Sequence, residues 1–292
     1  TFSTIYLYRL EGTNTKEYLT KYNLGSKLKV IDDQYRYILN DNILTLPGEG
    51  AGISTFTSTA SNSRYDFEGL FDYNSSNLTL DTTTIPGLTE LVGGKYTVNS
   101  AKGEIVDVIN LEGKEYTIEE QPACPIGFAY TSYITADELK TLEVQYRGLA
   151  MLGNLVIDKE QEQIFGGLMT HTDIEENSYK DINMKDELVE RNVKRSVKQF
   201  SRNNRGFKCV TNYGKKEAVF FSVPYDEGWK AYIDGKETSI IDTSGMMTIF
   251  VPQGTHNVEF IYSTPKLNLA IIVTILSMCV WGTIVWKEKK IG

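Results

Sequence analysis

The residues best suited to chemistry lie in one short segment, VPYDEGW at positions 223–229. Aromatic rings alternate there with carboxylates, and such groups together can bind the CH and OH groups of a sugar. We therefore identify four candidate carbohydrate-contact residues, Tyr225, Asp226, Glu227 and Trp229. A structural role is the alternative, because Tyr and Trp at strand ends also anchor protein cores.

The chain has two histidines, His171 and His256, and neither has a second ligand at metal-binding spacing. No nucleophile-elbow motif accompanies them. A Ser-His-Asp triad depends on proximity in space, so a hydrolase would require Ser or Cys beside one of these rings. We expect His256 to fix a turn instead.

Other acidic and glycine-rich segments give no sign of a reaction centre. The pairs Asp32-Asp33, Glu119-Glu120 and Glu175-Glu176 are adjacent in sequence, which directs their side chains to opposite faces of an extended strand. The glycine-rich stretch at 48–52 lacks the spacing of a phosphate-binding loop and predicts a flexible loop. Zinc-ligand, Walker and dinucleotide motifs are absent from the sequence, so no metal and no cofactor is predicted.

Composition predicts a globular chain with an acidic surface. A hydrophobic content of 41% over 292 residues is enough for a sizeable core. The net charge of -8 argues against nucleic-acid binding. Cys279 lies in an apolar run near the C-terminus, which leaves Cys124 and Cys209 as the possible pair, and we expect both to be free and buried.

The run from Leu267 to Trp286 is uncharged and long enough to cross about 30 Å of hydrocarbon at about 1.5 Å per residue. Pro265 precedes it, and the lysine-rich sequence KEKK at 287–290 follows it. Lysines next to a span favour the cytoplasmic side. The sequence therefore predicts a transmembrane helix at 265–287 with a cytoplasmic tail at 288–292, in preference to a tail-anchored cytosolic protein.

This orientation would place the bulk of the chain outside the cell membrane, although Thr1-Phe2-Ser3 does not begin a signal peptide. We therefore expect the chain to be part of a longer, multi-pass protein with transmembrane helices upstream of Thr1.

Residues 1–200 read as a mixed α+β region of short strands and two helices. The strands are predicted at Ile5–Leu10, Leu28–Ile31, Tyr35–Leu39, Ile53–Thr57, Ile105–Ile109 and Tyr116–Ile118. A capping box at Thr135 and Glu138 opens a helix that is expected to run to about Leu152. A second helix is predicted from the cap Asn183, with Val189, Val193, Val197 and Phe200 on one stripe.

Residues 201–264 predict a small β-sandwich close to the membrane. Five strands are expected, at Phe207–Asn212, Ala218–Pro224, Trp229–Ile233, Met247–Val251 and Asn257–Tyr262. Asp234-Gly235 predicts a type I′ hairpin turn. The predicted fold class is thus α+β, mostly β, with a mixed extracytoplasmic domain, a membrane-proximal sandwich and one transmembrane helix.

Two C-terminal blocks, FFSVPYDEGWKAYIDGKETSI and MMTIFVPQGTHNVEFIY, resemble the ectodomain of YfhO-like bacterial membrane proteins. The blocks GISTFTSTASNSRYDFEGLF, GGKYTV, PIGFAYTSYI and YRGL at 146–149 precede them in the order typical of that family. The resemblance covers nearly all of residues 1–286.

The resemblance implies a polytopic glycosyltransferase of the GT-C type, which transfers sugar from a polyprenyl-phosphate carrier to an envelope polymer, lipoteichoic or wall teichoic acid. Its catalytic acid is expected in an early extracytoplasmic loop that has no counterpart here, so no catalytic residue is carried over. The chain would be the accessory, acceptor-recognising part, with the upstream helices, the membrane and the glycopolymer or lipid-linked sugar as partners. The alternative is a non-catalytic carbohydrate-binding or adhesion module on the cell surface.

Overall fold

The computed structural model describes residues 32–39, 43–45, 63–72, 82–98, 103–111, 113–203 and 205–291. The strands predicted at Ile5–Leu10, Leu28–Ile31 and Ile53–Thr57, and the loop predicted at 48–52, lie outside these residues. The described part is mostly β with interspersed helices, which confirms the predicted α+β class.

The first sheet is built from the N-terminal part of the chain. Its described strands are β1 (Arg36–Leu39), β2 (Ile43–Thr45), β3 (Gly94–Val98), β4 (Glu104–Leu111) and β5 (Lys114–Glu120), in the order β2-β1-β3-β5-β4. A tyrosine-rich cluster fills its core, where the rings of Tyr37 and Tyr96 lie 5.0 Å apart. Helices α1 (Ser63–Gly69) and α2 (Leu88–Leu91) contribute Phe67 and Leu88 to the adjoining core.

A small parallel sheet follows. It consists of β7 (Ser132–Thr135), β8 (Leu155–Ile157) and β9 (Thr170–His171), with β7 in the centre. Parallel neighbours need a crossover connection. Helices α3 (Ala136–Thr141) and α4 (Val144–Gly153) join β7 to β8, and a 3-10 turn with α5 (Glu162–Phe165) leads towards β9.

The C-terminal strands form a sandwich of two sheets. One sheet has β10 (Lys198–Asn203), β11 (Gly206–Tyr213), β13 (Trp229–Ile233), β14 (Lys236–Thr238) and β17 (Gly254–Tyr262), in the order β10-β11-β17-β13-β14. The other has β6 (Gly127–Tyr130), β12 (Glu217–Pro224), β15 (Ile241–Thr243) and β16 (Met246–Val251), in the order β15-β16-β12-β6. Strand β6 thus joins the sandwich from outside residues 201–264.

Aromatic packing closes the space between the two sheets. The ring of Phe207 stacks on that of Phe260 at 4.5 Å, and Phe221 from the opposite sheet meets Phe260 edge-on at 4.8 Å. Aromatic pairs in these geometries add stability beyond the area that they bury.

The predicted hairpin turn and the predicted helix start at Thr135 are both confirmed. Asp234 and Gly235 have φ angles of 50° and 78°, as a type I′ turn requires, and Ile233 pairs with Lys236. The Thr135 side chain accepts a hydrogen bond from the backbone of Glu138, whose carboxylate accepts one from the Thr135 backbone.

The helix predicted to continue from Thr135 to Leu152 is instead two helices. Leu142 adopts an extended backbone between α3 and α4. The buried guanidinium of Arg147 donates to the Leu142 carbonyl at 2.9 Å and to the Lys140 carbonyl at 3.2 Å. Because these carbonyls lack helical partners at the end of α3, the arginine satisfies them and stabilises the break.

The second predicted helix is shorter than its apolar stripe suggested. Helix α6 (Met184–Lys194) ends before Val197 and Phe200, and Asn183 makes no capping hydrogen bond with its side chain. The Val197 amide donates to the Gly127 carbonyl at 3.1 Å, and Phe200 lies in β10. Pairing with the sandwich therefore ends the helix.

The chain ends in helix α7 (Leu267–Ile291), which carries large apolar side chains in its first two thirds. No helix among the described residues meets the length and hydropathy criteria of a membrane span, so the predicted transmembrane helix is not confirmed.

Candidate functional site

The aromatic and acidic segment forms a tight turn between β12 and β13. The Asp226 carboxylate accepts a hydrogen bond from the Gly228 amide at 2.8 Å, and the Asp226 carbonyl accepts one from the Trp229 amide at 3.0 Å. The first bond is that of an Asx turn and the second is that of a β-turn. Much of the bonding capacity of Asp226 therefore stabilises the backbone.

Trp229 belongs to the sandwich core. Its side chain is only 7% exposed, and its ring meets those of Phe207 at 5.9 Å and Tyr262 at 5.2 Å, both edge-on. The indole face is therefore not available to stack on a sugar, and the structural alternative describes this residue.

Tyr225 and Glu227 are both more accessible than Trp229. Tyr225 is half-buried and its amide donates to the Gly245 carbonyl at 2.9 Å, whereas Glu227 is exposed. Burial, reinforced by the negative charge of Asp242 and of Glu227, raises the pKa of the Tyr225 phenol. The phenol therefore stays neutral and retains its hydroxyl donor. Carbohydrate contact by this turn remains a prediction.

The turn lies at the end of the sandwich from which α7 begins. The Ser263 amide donates to the Gly228 carbonyl at 2.9 Å, and Trp229 pairs with Tyr262 in register. Only a few residues separate these contacts from Leu267, the first residue of α7.

His171 pairs with a carboxylate at the carboxyl edge of the parallel sheet. Its Nε2 lies 2.9 Å from Oε1 of Glu138, and its ring lies 5.2 Å from that of Tyr133. The hydrogen bond to Glu138 raises the pKa of the imidazole and helps to lower that of the carboxyl group. Glu138 and His171 are 33 positions apart, so sequence spacing gave no sign of the pair.

His256 fixes a turn, as expected. Its Nδ1 lies 2.6 Å from the Asp234 carboxylate and its Nε2 lies 3.1 Å from the Gln253 carbonyl oxygen. Asp234 also accepts a hydrogen bond from the Asn257 amide at 2.9 Å. These contacts tie the type I′ hairpin turn to the start of the last strand.

The hydrolase alternative lacks a nucleophile. Among the described residues, the side-chain partners of His171 and His256 are carboxylates, and neither Ser nor Cys is hydrogen-bonded to them. Cys124 and Cys209 are free and buried, as expected, and burial raises the pKa of both thiols to about 12. They are therefore protonated and unreactive at neutral pH.

Asp242 has a shifted carboxyl pKa, and this residue was not identified from the sequence. Its carboxyl pKa is raised to about 6, mainly by burial and also by the charges of Asp66 and Asp158, against a hydrogen bond from the Gly245 amide that lowers it. The three aspartates are far apart in sequence, so no local motif predicts this cluster. Across the described residues, no group of three or more His, Cys, Asp or Glu side chains has a metal-binding arrangement.

The segment from within α6 to the first turns of α7 is similar to a class of bacterial membrane proteins. The family is described as bacterial membrane protein YfhO, and its model matches residues 188–274. The predicted resemblance to YfhO-like proteins is thereby confirmed over these residues, and the blocks before residue 188 lie outside the match. The chain matches no curated protein and no solved structure.

Proposed function

We propose that this chain is the extracytoplasmic accessory part of a polytopic membrane glycosyltransferase, which transfers sugar from a polyprenyl-phosphate carrier to lipoteichoic or wall teichoic acid. The observation that carries the proposal is the family match. It spans residues 188–274, from within α6 through strands β10 to β17 and into α7. The chain's role would be to recognise or admit the acceptor polymer.

The surface of α7 supports its assignment as the membrane anchor. Ile271, Ile272 and Val273 are consecutive and each is about half exposed, and Met278 and Trp281 are 68% and 69% exposed. Consecutive residues point to different sides of a helix. A helix that is apolar on all sides needs an apolar environment, which a bilayer supplies.

Glycan contact within this proposal falls to Tyr225 and Glu227, because Trp229 is buried and Asp226 is engaged in the turn. The alternative of a surface adhesion module has less support, since it depended on stacking by both aromatic rings.

Deleting the encoding gene tests the enzymatic proposal. We expect loss of sugar substituents from one envelope polymer and their recovery when the complete gene is restored. Unchanged sugar content in every envelope polymer would refute the proposal.

Cysteine labelling in intact cells tests the topology separately. With Cys279→Ser as background, the buried Cys124 and Cys209 give little signal. A membrane-impermeant maleimide should label Lys236→Cys, exposed at the start of β14, in intact cells. It should label Lys289→Cys only after permeabilisation, and the reverse pattern would contradict the proposed orientation.

A further inference from the structure

A groove of about 570 Å³ lies between the first sheet and α6. Its apolar wall is formed by Pro122, Ala123, Val189 and Val193. The volume lies in the range of about 300–1,000 Å³ that is usual for small-ligand sites. The groove is therefore large enough for a short glycan unit.

Carboxylates outnumber cations around this groove. Glu104, Glu120, Asp186 and Glu190 line it together with Lys95. The Lys95 ammonium lies 2.8 Å from Glu120 and 4.4 Å from the centre of the Tyr35 ring. The lysine is thus already held by a charge and an aromatic face.

Two of the carboxylates keep their charge uncompensated. Glu190 pairs with Lys194 at 2.7 Å, but Glu104 and Asp186 have no ion-pair partner among the described residues. They belong to different elements that line the groove, Glu104 to β4 and Asp186 to α6. A positively charged ligand in the groove would gain from both charges.

We propose that this groove binds an amino sugar. The ammonium group would lie near Glu104 and Asp186, while the CH face of the ring packs against the apolar wall. Carboxylate oxygens that remain free accept hydrogen bonds from sugar hydroxyls. The inference is separate from glycosyl transfer, because it depends only on the groove.

Calorimetric titration of the full chain in detergent micelles tests the site. The probe is the β-1,4-linked disaccharide of glucosamine, and its N,N′-diacetylated form is the uncharged control. We expect the wild-type chain to bind the diamine and not the acetylated form, more weakly as salt is raised. The double variant Glu104→Gln/Asp186→Asn should bind the diamine about tenfold more weakly, because it loses charge pairing at a partly exposed site.

Glu187→Gln is the matched control, because Glu187 is an exposed carboxylate on α6 that does not line the groove. It should leave the affinity unchanged. Four results would overturn the proposal: no binding at millimolar concentration, equal binding of the acetylated disaccharide, an equal loss in the control, or tighter binding of trilysine. The last result would indicate a basic peptide as the ligand.

Discussion

At the scale of single residues, both histidines are held by carboxylates, and this sets their charge near neutral pH. Hydrogen bonds to Glu138 and Asp234 raise the pKa of His171 and of His256, respectively. A histidine whose pKa is raised on folding adds stability below its unfolded pKa of about 6.5 and loses that contribution as pH rises through the folded value.

We therefore predict that both imidazoles titrate above 6.5, the ordinary histidine value, in an NMR titration of the chain. Asp234→Asn should lower the pKa of His256 and leave that of His171 unchanged, because only the first pair loses its charge. Glu138→Gln should lower the pKa of His171 and leave that of His256 unchanged. Each variant is therefore the control for the other. If either variant changed the pKa values of both histidines, the prediction that the two pairs are independent would be wrong.

Asp242 gives a pH dependence of the same direction, at lower pH than the histidines. Because folding raises its pKa to about 6, the ionised carboxylate is disfavoured in the folded state, and the contribution of Asp242 to stability should increase as pH falls from 7 to 4. Asp242→Asn should reduce this increase while preserving an acceptor for the Gly245 amide. Urea unfolding of both proteins across this range measures the difference, and parallel curves would contradict the assignment.

Residue-scale features differ in how much of them the sequence could predict. The capping box at Thr135 and the turn at Asp234 depend on residues within a few positions, so a local pattern predicts them. The carboxylate near His171 and the aspartates near Asp242 are brought together only by tertiary packing, and no spacing rule identifies them.

At the scale of the elements, the backbone of the turn before β13 packs closely against the backbone that follows β17. A Cβ atom on Gly228 would lie 2.4 Å from the Ser263 carbonyl oxygen, a backbone atom that cannot easily move aside. The sandwich and the start of α7 therefore meet at a joint that requires glycine.

Gly228→Ala should destabilise the chain by about 1–3 kcal/mol, because the added methyl group overpacks this joint. Gly214→Ala is the matched control, since a Cβ atom there has no neighbour within 4 Å, and it should be neutral or slightly stabilising. Thermal unfolding in detergent compares the two variants. Equal midpoints would show that the joint can relax.

Element boundaries were predicted less well than element types. The strands from Phe207 to Tyr262 were recovered to within a few residues because their apolar alternation is local. The apolar stripe that continued from Val193 to Phe200 could not reveal the end of α6, because that end depends on pairing with Gly127.

At the scale of the whole molecule, Arg36 links the first sheet to the sandwich. Its guanidinium is fully buried and donates to the Ser222 hydroxyl at 2.9 Å, to the Ser222 carbonyl at 2.6 Å and to the Val92 carbonyl. Burial lowers the pKa of this arginine to about 9. Burying the charged guanidinium costs desolvation free energy, and its hydrogen bonds to Ser222 and Val92 offset that cost.

Arg36→Ala should lower the free energy of unfolding by roughly 2–4 kcal/mol, since it removes several buried hydrogen bonds and leaves a cavity. Lys198→Ala, on the exposed side of β10, should change it by less than about 0.5 kcal/mol. Urea unfolding measures both. A small effect at Arg36 would mean that the two sheets are held together by other contacts.

The placement of β6 has a consequence for the order in which the chain folds. Tyr130 pairs with Ala218, so this edge of the sandwich must wait until a long intervening stretch of chain has been synthesised. Pairings between such distant residues form slowly, because the loop must close before any contact compensates for it. A fragment limited to residues 188–274 would leave β12 without this neighbour, and the apolar residues behind it would then be open to association with other chains.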